Sequence, residues 1–430
     1  MIRLFIVLLA VFCGGCAVVS ENNGVNSSTS ISARRLRYRN ILLRDLRTVK
    51  DGQVVNFNIG TTAHAPATLA VLKKYLPGTV KITLWADAPL APDVAAMMKR
   101  RFPDVPIVYG DLEKSPPGEL LKAVEEADLF LVSSGAGIAG TVRRSLTQFR
   151  ERTGKPVAAY AIGCTETLIP LIGGMDFAWF RDPVALEMAK SSGCPVLGWA
   201  PDAVFDFDAV DAAGAEEFLK EKGLQPGKFI CCIPGQRFTP RWDYFDVPVK
   251  AASVAANARY EEHDNAPLRE IIRIAVAEYG LKVLICPEQI TEIALIRPRI
   301  YDRLPPEIQK SCVVMDQIWS PDLALGVYRA SRGVFGVEMH SQVMAVGNGV
   351  PGVLLRHPQF GSKSEMWRSI GIPEWCISTE SPEYASQAAV VAREILGDPA
   401  GAAEKLRRAG KIIEKAASDA IQSSFFAESE

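Results

Sequence analysis

One histidine in the second half of the chain has the position expected of a proton-transfer residue. His340 lies just after a short apolar run at 333–335 and opens a stretch with helical spacing. Histidine exchanges protons near neutral pH, and Glu338, two residues earlier, is placed to orient the ring or to bind hydroxyl groups. The segment therefore predicts acid–base chemistry by His340. A histidine that only caps the helix would give the same pattern.

An arginine in the first half is a candidate for holding an anion. Arg181 and Asp182 follow the apolar run at 177–180, and Pro183 suits the first position of a helix. A guanidinium group at the carboxyl end of a strand can hold a phosphate or a carboxylate through two hydrogen bonds. An ion pair with a neighbouring element would look identical in sequence. We interpret Asp182 as the cap of the helix.

Two segments rich in small and hydroxyl residues offer backbone N–H groups to a ligand. Gly60 and Thr61 follow a predicted strand at 54–58, in a turn that could surround a phosphate. Ser134 and Gly135 follow another predicted strand, where small residues let a ligand reach the backbone, although tight helix packing would require them too. Ligands of parallel sheets bind beyond the carboxyl ends of the strands, so we expect both segments at the site.

The elements that position these residues alternate short β-branched runs with amphipathic stretches of about ten residues, which is typical of βαβ units. The pattern begins again after an acidic, Ala-rich helix at 212–222. We therefore predict an α/β fold of two doubly wound, Rossmann-like domains at 36–208 and 209–398, with a cleft between them. A helical tail at 399–430 is expected to pack back on the first domain. The segment 236–265 has no clear period and is predicted to be a loop over the cleft.

Strands are predicted at residues 54–58, 81–85, 107–109, 129–133, 157–161 and 177–180 in the first domain, and at 229–233, 282–286, 313–315, 333–335 and 350–355 in the second.

Composition argues against several kinds of partner. The 48 Lys and Arg residues balance 49 Asp and Glu, so no overall field attracts nucleic acid, which we do not expect as a partner. The four histidines lack metal-ligand spacing, so we predict no metal site. Seven of the nine cysteines follow residue 16, most of them in apolar runs, and are interpreted as buried free thiols.

The N-terminus has the pattern of an export signal. Arg3 precedes an unbroken apolar run at 4–12, and two glycines lead to Cys16, as in a bacterial lipoprotein cleavage box. We predict a signal peptide at 1–16, lipidation of Cys16 and a tether at 17–35. The protein would then be exported and anchored by its lipid at the periplasmic or cell-envelope face of a membrane. A plain signal peptide, an uncleaved anchor and the cytoplasmic face stay open as alternatives.

Taken in order, three segments resemble the polysaccharide pyruvyl transferase family across residues 54–369. They are 128–132 running into the Ser/Gly loop, Phe180-Arg181-Asp182 with the later 199–205, and Glu338-Met339-His340-Ser341 through Gly349-Val350-Pro351 to Lys363. No single motif is decisive, but the three segments in this order are fairly specific for the family.

The resemblance implies a GT-B-like arrangement of the two domains and a reaction that moves the enolpyruvyl carbons of phosphoenolpyruvate onto two sugar hydroxyls. It assigns the acid/base role to His340 and the donor anion to Arg181 and Lys363, with Arg237 as a further candidate. Asp202, in the second segment, becomes a candidate for substrate binding. The implied partners are a small anionic donor and a glycan acceptor of the cell envelope, and no cofactor is implied.

Two departures from the family pattern bear on the donor. The family usually has Arg where Glu338 stands, and a carboxylate there would repel an anion by roughly 1 to 4 kcal/mol at close range. The first loop offers Gly60 and Thr61 in place of the usual Gly-Asp pair. A GT-B glycosyltransferase that uses a nucleotide sugar, and a non-catalytic glycan-binding lipoprotein, are therefore kept as alternatives. The sequence does not indicate an oligomeric state.

Overall fold

The computed structural model describes residues 35–44, 49–50, 53–54, 57–113 and 115–427. The predicted signal peptide with Cys16, and all of the predicted tether except residue 35, lie outside the described residues. Among the helices that are described, none combines the length and apolar character that a membrane span requires.

The first sheet has seven parallel strands in the order β5-β4-β1-β6-β7-β8-β9. The strands of the first half are β1 Asn40–Arg44, β2 Val49–Lys50, β3 Gln53–Val54, β4 Lys81–Ala86, β5 Ile107–Tyr109, β6 Leu129–Val132, β7 Val157–Ile162, β8 Phe177–Phe180 and β9 Leu197–Trp199. The short β2 and β3 form a separate antiparallel pair. The helices are α1 Ile59–Tyr75, α2 Pro92–Arg101, α3 Gly118–Glu126, α4 Gly140–Thr153, α5 Ile169–Ile172 and α6 Pro183–Ala189.

The predicted strand at 54–58 is wrong, because the strand that enters the sheet first is β1. Its apolar run of three residues is flanked by Arg39 and Arg44, which made it resemble a surface segment. Arg44 is nevertheless fully buried, and its charge is paired with Asp87. Asn58 belongs to the start of α1, where its side chain caps the helix.

The second sheet has six parallel strands in the order β12-β11-β10-β13-β14-β15. Its strands are β10 Phe229–Ile233, β11 Lys282–Ile285, β12 Cys312–Val314, β13 Val334–Gly336, β14 Gly352–Arg356 and β15 Cys376–Ser378. The helices of the second half are α7 Ala212–Glu221, α8 Ala251–Ala277, α9 Ile293–Leu295, α10 Pro306–Gln309, α11 Pro321–Ala330, α12 His340–Gly347, α13 Glu365–Ser369, α14 Tyr384–Gly397 and α15 Pro399–Phe425. Two parallel sheets flanked by helices confirm the predicted fold class.

The second half of the segment predicted to be a loop over the cleft, residues 251–265, is the first half of the long helix α8. The prediction failed because the buried face of this half is polar: Ser253, Asn257 and Asp264 lie at helical spacing and are all buried. A buried polar face gives no apolar period, so the helix was not visible in the hydrophobic pattern.

The backbones of the two halves are hydrogen-bonded to each other beside the cleft. The N–H of Ile59 donates to the carbonyl of Glu288 at 3.0 Å, and the N–H of Ile290 donates to the carbonyl of Phe57 at 3.0 Å. Between these bonds Asn58 and Gln289 form an antiparallel bridge. The start of α1 is thereby fixed against the segment that follows β11.

The C-terminal helix α15 returns to the first half of the chain. The indole of Trp179 donates a hydrogen bond to the hydroxyl of Ser424 at 2.7 Å. The ring of Phe425 packs against Tyr38 and Phe177, with centroids 5.8 and 5.4 Å away. The last turn of the helix therefore completes the apolar core beside β8.

Candidate functional site

A cavity of about 650 Å³ lies where the carboxyl ends of the two sheets face each other. Both halves of the chain contribute to its wall. Seven of the residues that the sequence nominated line it, namely Thr61, Gly135, Arg181, Arg237, Glu338, His340 and Lys363. Arg181 from the first half and His340 from the second thus border one space, which is what the two-domain prediction requires.

His340 is the first residue of α12, and a buried carboxylate orients its ring. Nδ1 lies 3.3 Å from Oε1 of Glu288, and the other carboxylate oxygen accepts the N–H of Ser341 at 2.7 Å. Burial alone would raise the pKa of Glu288, but the hydrogen bonds from His340 and Ser341 outweigh it and lower that pKa. Nε2 of His340 is buried and has no hydrogen-bond partner among the described residues.

His64, which the sequence reasoning missed, stands opposite His340. It lies in α1, and its Nδ1 is 3.4 Å from Oδ1 of Asp202. The rings of the two histidines are perpendicular, with their centroids 5.0 Å apart. Burial disfavours the charged ring and lowers the pKa of His64 to about 4, although Asp202 acts in the opposite direction. His64 is therefore neutral at neutral pH.

Arg181 and Asp202 form a buried ion pair below the cavity. Nη1 of Arg181 donates to Oδ2 of Asp202 at 2.7 Å, and both side chains are at most 1% exposed. Although burial opposes its charge, Asp202 has a pKa well below the usual range because His64 and Arg181 lie beside it. Nε of Arg181 has no hydrogen-bond partner among the described residues. Arg181 is thus both paired with a neighbour and placed at the cavity wall.

Ser134 supports the Arg181–Asp202 ion pair from behind. Neither Ser134 nor Asp202 lines the cavity. The hydroxyl of Ser134 and the N–H of Val204 lie 3.1 and 3.0 Å from Oδ1 of Asp202. Asp202 therefore positions Arg181 and His64, whereas the sequence reasoning nominated it for contact with substrate.

Glu338 and Lys363 determine the charge of the cavity wall that the second half of the chain contributes. Burial and the charge of Glu288 raise the pKa of Glu338 to about 8, although Lys363 acts against this shift. Burial, followed by the charge of Arg181, lowers the pKa of Lys363 to about 8. At neutral pH Glu338 carries a proton and Lys363 a positive charge. The expected repulsion of an anion by Glu338 is therefore reduced at this pH.

Gly60 and Thr61 form the first turn of α1 and do not form a free phosphate loop. The N–H of Thr61 donates to the Asn58 side chain at 2.9 Å, which caps the helix. A Cβ atom on Gly60 would overlap the ring of His340. Glycine at this position lets α1 approach α12 closely enough to bring the two histidines together.

Arg237 follows β10 and is held from behind by α8. Its guanidinium group forms two hydrogen bonds with Asp264, at 2.7 and 2.9 Å, and lies over the ring of Tyr260 at 3.5 Å. Asn257 accepts the N–H of Phe238 and donates to its carbonyl. The buried polar face in the first half of α8 thus holds the segment that carries Arg237 in place.

The structure also brings together a group of side chains that could ligate a metal. The possible ligand atoms of His64, Asp202 and His340 lie within 4.8 Å of one another. Their separation along the chain left no metal-ligand spacing to detect. His64 lies four residues after Gly60 on α1, but Gly60 and Thr61 were predicted to form a turn, so this helical spacing was not recognised.

Comparison with solved structures finds proteins with a similar fold. The UDP-N-acetylglucosamine 2-epimerase of Methanocaldococcus jannaschii superposes with a TM-score of 0.53 at 12% identity, covering 87% of this chain and 98% of that one. The Staphylococcus aureus MnaA–UDP structure gives a TM-score of 0.52 at 12% identity, covering 89% and 96% of the chains. A putative UDP-N-acetylglucosamine 2-epimerase from Listeria monocytogenes gives a TM-score of 0.51 at 13% identity, covering 89% of this chain and 95% of that one. At such low identity these similarities show the fold alone.

Family membership follows from the sequence comparison. No curated protein matches the chain. The family model of polysaccharide pyruvyl transferases matches residues 58–358, which is more than two thirds of the chain. The matched range includes every element that borders the cavity except part of the Pro358–Ser364 turn with Lys363. The chain belongs to the polysaccharide pyruvyl transferase family.

Proposed function

We propose that this protein transfers the pyruvyl group of phosphoenolpyruvate to two hydroxyls of a sugar in a cell-envelope glycan. The observation that carries the proposal is the shared cavity, which His340 lines together with Arg181, Arg237 and Lys363. An imidazole surrounded by cations suits a donor with a carboxylate, a phosphate and a carbon that must be protonated.

The reaction requires one proton to be added and two to be removed. Protonation of the donor's methylene carbon forms a C–H bond with the electrons of the double bond and leaves an oxocarbenium-like carbon. One sugar hydroxyl then attacks this carbon. Phosphate leaves, and the second hydroxyl completes the ketal. Of the two hydroxyl protons, one balances the proton gained by the methyl group and the other departs with phosphate.

His340 is assigned the protonation of the methylene carbon. Glu288 holds the ring by Nδ1, so Nε2 is the nitrogen left to exchange a proton with a substrate. The hydrogen bond from Nδ1 to the buried carboxylate also fixes the orientation of the ring. Glu288 is therefore a positioning residue.

Donor binding is assigned to Arg181 and Lys363. Nε of Arg181 is free of hydrogen bonds within the described residues, and Lys363 is charged at neutral pH. Protonated Glu338 can donate a hydrogen bond to the donor's carboxylate or phosphate, in the position where the family usually has Arg. Its neutral carboxyl offers an anion a donor without a full positive charge.

The site of action belongs to the same proposal. Export and lipidation of Cys16, inferred from the N-terminal sequence, would put the enzyme on a membrane facing a cell-envelope glycan. Mass spectrometry of the mature N-terminus tests this part, because a mature chain with an unmodified N-terminus at another residue would remove the lipid anchor.

The activity is tested with the purified protein, phosphoenolpyruvate and a panel of envelope glycans. We expect phosphate release together with a new methyl signal in the proton NMR spectrum of the glycan. The His340→Ala variant should release no phosphate, and Lys363→Met should require a much higher donor concentration. Lys415→Met is the matched control, because Lys415 is exposed on α15 far along the chain from the cavity residues.

Two outcomes would contradict the proposal. Phosphate release that is unchanged in His340→Ala would remove this residue from the reaction. Binding of nucleotide sugars but not of phosphoenolpyruvate, measured by calorimetry, would favour the alternative of a GT-B glycosyltransferase.

A further inference from the structure

We propose that His64 is a second proton-transfer residue of this site, which accepts a proton from an acceptor hydroxyl while His340 protonates the donor. The inference rests on the proposed function, since it assigns a step of that reaction. It extends the site to a residue of α1 that was not among the candidates nominated from the sequence.

The first support is the matched geometry of the two histidines. Each ring has a buried carboxylate beside its Nδ1: Asp202 at 3.4 Å from His64, and Glu288 at 3.3 Å from His340. Both rings line the cavity, one from each half of the chain. The Glu288 carboxylate is hydrogen-bonded to His340, whereas Asp202 lies within ion-pair distance of His64, whose Nδ1 has no hydrogen bond among the described residues. A carboxylate beside Nδ1 attracts the imidazolium that forms when the other nitrogen takes a proton. The site therefore contains two imidazole–carboxylate pairs that face each other.

The second support is the absence of another partner for the inward-facing nitrogen. Nε2 of His340 is buried without a hydrogen bond among the described residues. Leaving such an atom unpaired costs about 1 to 3 kcal/mol, so the arrangement is typical of a place that a ligand completes. The perpendicular ring of His64, 5.0 Å away between centroids, does not fill it.

The third support is the close approach that Gly60 permits. Gly60 and His64 lie one turn apart on α1, and a Cβ on Gly60 would overlap the His340 ring. The backbone bonds between Ile59 and Glu288 hold the same turn against the second half. The fold thus brings His64 to His340 by an approach that only glycine at position 60 allows.

The two histidines divide the proton transfers between them. The O–H bond of the sugar hydroxyl breaks, its proton moves to Nε2 of His64, and the oxygen's electron pair forms the bond to the donor carbon. At the methylene carbon the proton from His340 forms the new C–H bond. The proton on His64 then passes to the phosphate as its C–O bond to the donor carbon breaks. The second hydroxyl forms the second C–O bond of the ketal, and its proton returns to His340. The charged groups that face His64 are Asp202, Arg181 and His340, and Asp202 stabilises the imidazolium during this step.

A divalent metal held by the same three side chains is the competing explanation. Oδ1 of Asp202 already accepts the N–H of Val204 and lies 3.1 Å from the Ser134 hydroxyl. Its other oxygen accepts a hydrogen bond from Arg181, whose positive charge would repel a cation. These contacts leave little of the carboxylate for an ion, so they favour proton transfer over metal binding.

The test compares His64→Asn and His64→Ala with the wild-type full chain in the phosphate-release assay. Asn keeps a polar group near Asp202 but cannot act as a base, so kcat is expected to fall roughly 10²- to 10³-fold. The KM for phosphoenolpyruvate should change less than about threefold. Added imidazole should restore part of the activity of His64→Ala in a saturable way, which a structural role of His64 would not allow.

Each result supports or overturns the inference. Wild-type activity with an unchanged kcat in His64→Asn overturns the role of His64 and leaves the proposed function intact. Wild-type inactivity with every glycan overturns both. Loss of wild-type activity in EDTA, with recovery on adding Zn²⁺, also overturns the inference, because the ring nitrogens would then hold an ion. A melting temperature of His64→Asn close to that of wild type confirms that a loss of kcat is not a loss of fold.

Discussion

The strongest dependence that the site predicts is a loss of donor affinity as the pH rises through about 8. The pKa of Glu338 is raised to about 8 and that of Lys363 is lowered to about 8. Below this pH the cavity wall carries a neutral carboxyl and a charged amine, which both favour an anion. Above it the wall carries a carboxylate and a neutral amine. Each lost proton makes the cavity more negative by one charge.

The magnitude follows from counting protons. A group that must be protonated for binding, with a pKa of about 8, weakens binding roughly tenfold between about pH 7 and pH 9. Two such groups together weaken it roughly 100-fold, equivalent to about 2.7 kcal/mol. The donor's phosphate has lost its last proton by about pH 7, so it adds little to the change. We therefore expect the dissociation constant of phosphoenolpyruvate to rise by about two powers of ten.

Calorimetric titration with phosphoenolpyruvate at about pH 7, 8 and 9 measures this directly. In Glu338→Gln only Lys363 can titrate, so the rise should shrink to roughly tenfold. In Lys363→Met binding should be weak at every pH and the remaining rise again roughly tenfold. Lys415→Met should behave as wild type. Equal or tighter binding at pH 9, or the same rise in Glu338→Gln as in wild type, would refute the reasoning.

Three further predictions concern the support of the site. Gly60→Ala should place a methyl group in the space of the His340 ring, and should therefore lose about 1 to 3 kcal/mol of stability together with most activity. The control is Gly410→Ala, in a helix with open space around this glycine, which should be neutral or slightly stabilising in thermal unfolding. Asp202→Asn should cost about 3 to 5 kcal/mol in denaturant unfolding, because it leaves a buried guanidinium unpaired, and a loss below about 1 kcal/mol would contradict the pairing. Glu288→Gln should lower kcat at least about tenfold with little change in KM, and an unchanged kcat would show that the His340 ring needs no carboxylate.

The fold was largely predictable because its strands are uniform apolar runs bounded by turns. The segments at 177–180 and 229–233 were predicted with the bounds that the structure has. β1 and the first half of α8 were missed because each contains buried polar or charged side chains. β1 has only three apolar residues before the buried Arg44, and the buried face of the first half of α8 carries Asn257 and Asp264, so neither segment shows a clear hydrophobic pattern.

The site was predictable only where a side chain follows directly from its own strand. His340 and Arg181 lie at the carboxyl ends of β13 and β8, and the sequence nominated both. The roles of His64 and Glu288 depend on a contact between α1 and the segment after β11, which no local pattern encodes. The protonation of Glu338 depends on burial beside Glu288, so its residue type alone suggested the opposite charge effect.

The return of α15 to the first sheet has a consequence for the order in which the protein can mature. Because Ser424 and Phe425 pack on Trp179 and Phe177, the first half lacks part of its interior until α15 has been synthesised. We expect a fragment that ends at residue 398 to expose apolar surface and to aggregate or be degraded. Folding of the first half is thereby delayed until the segment 399–425 has been synthesised.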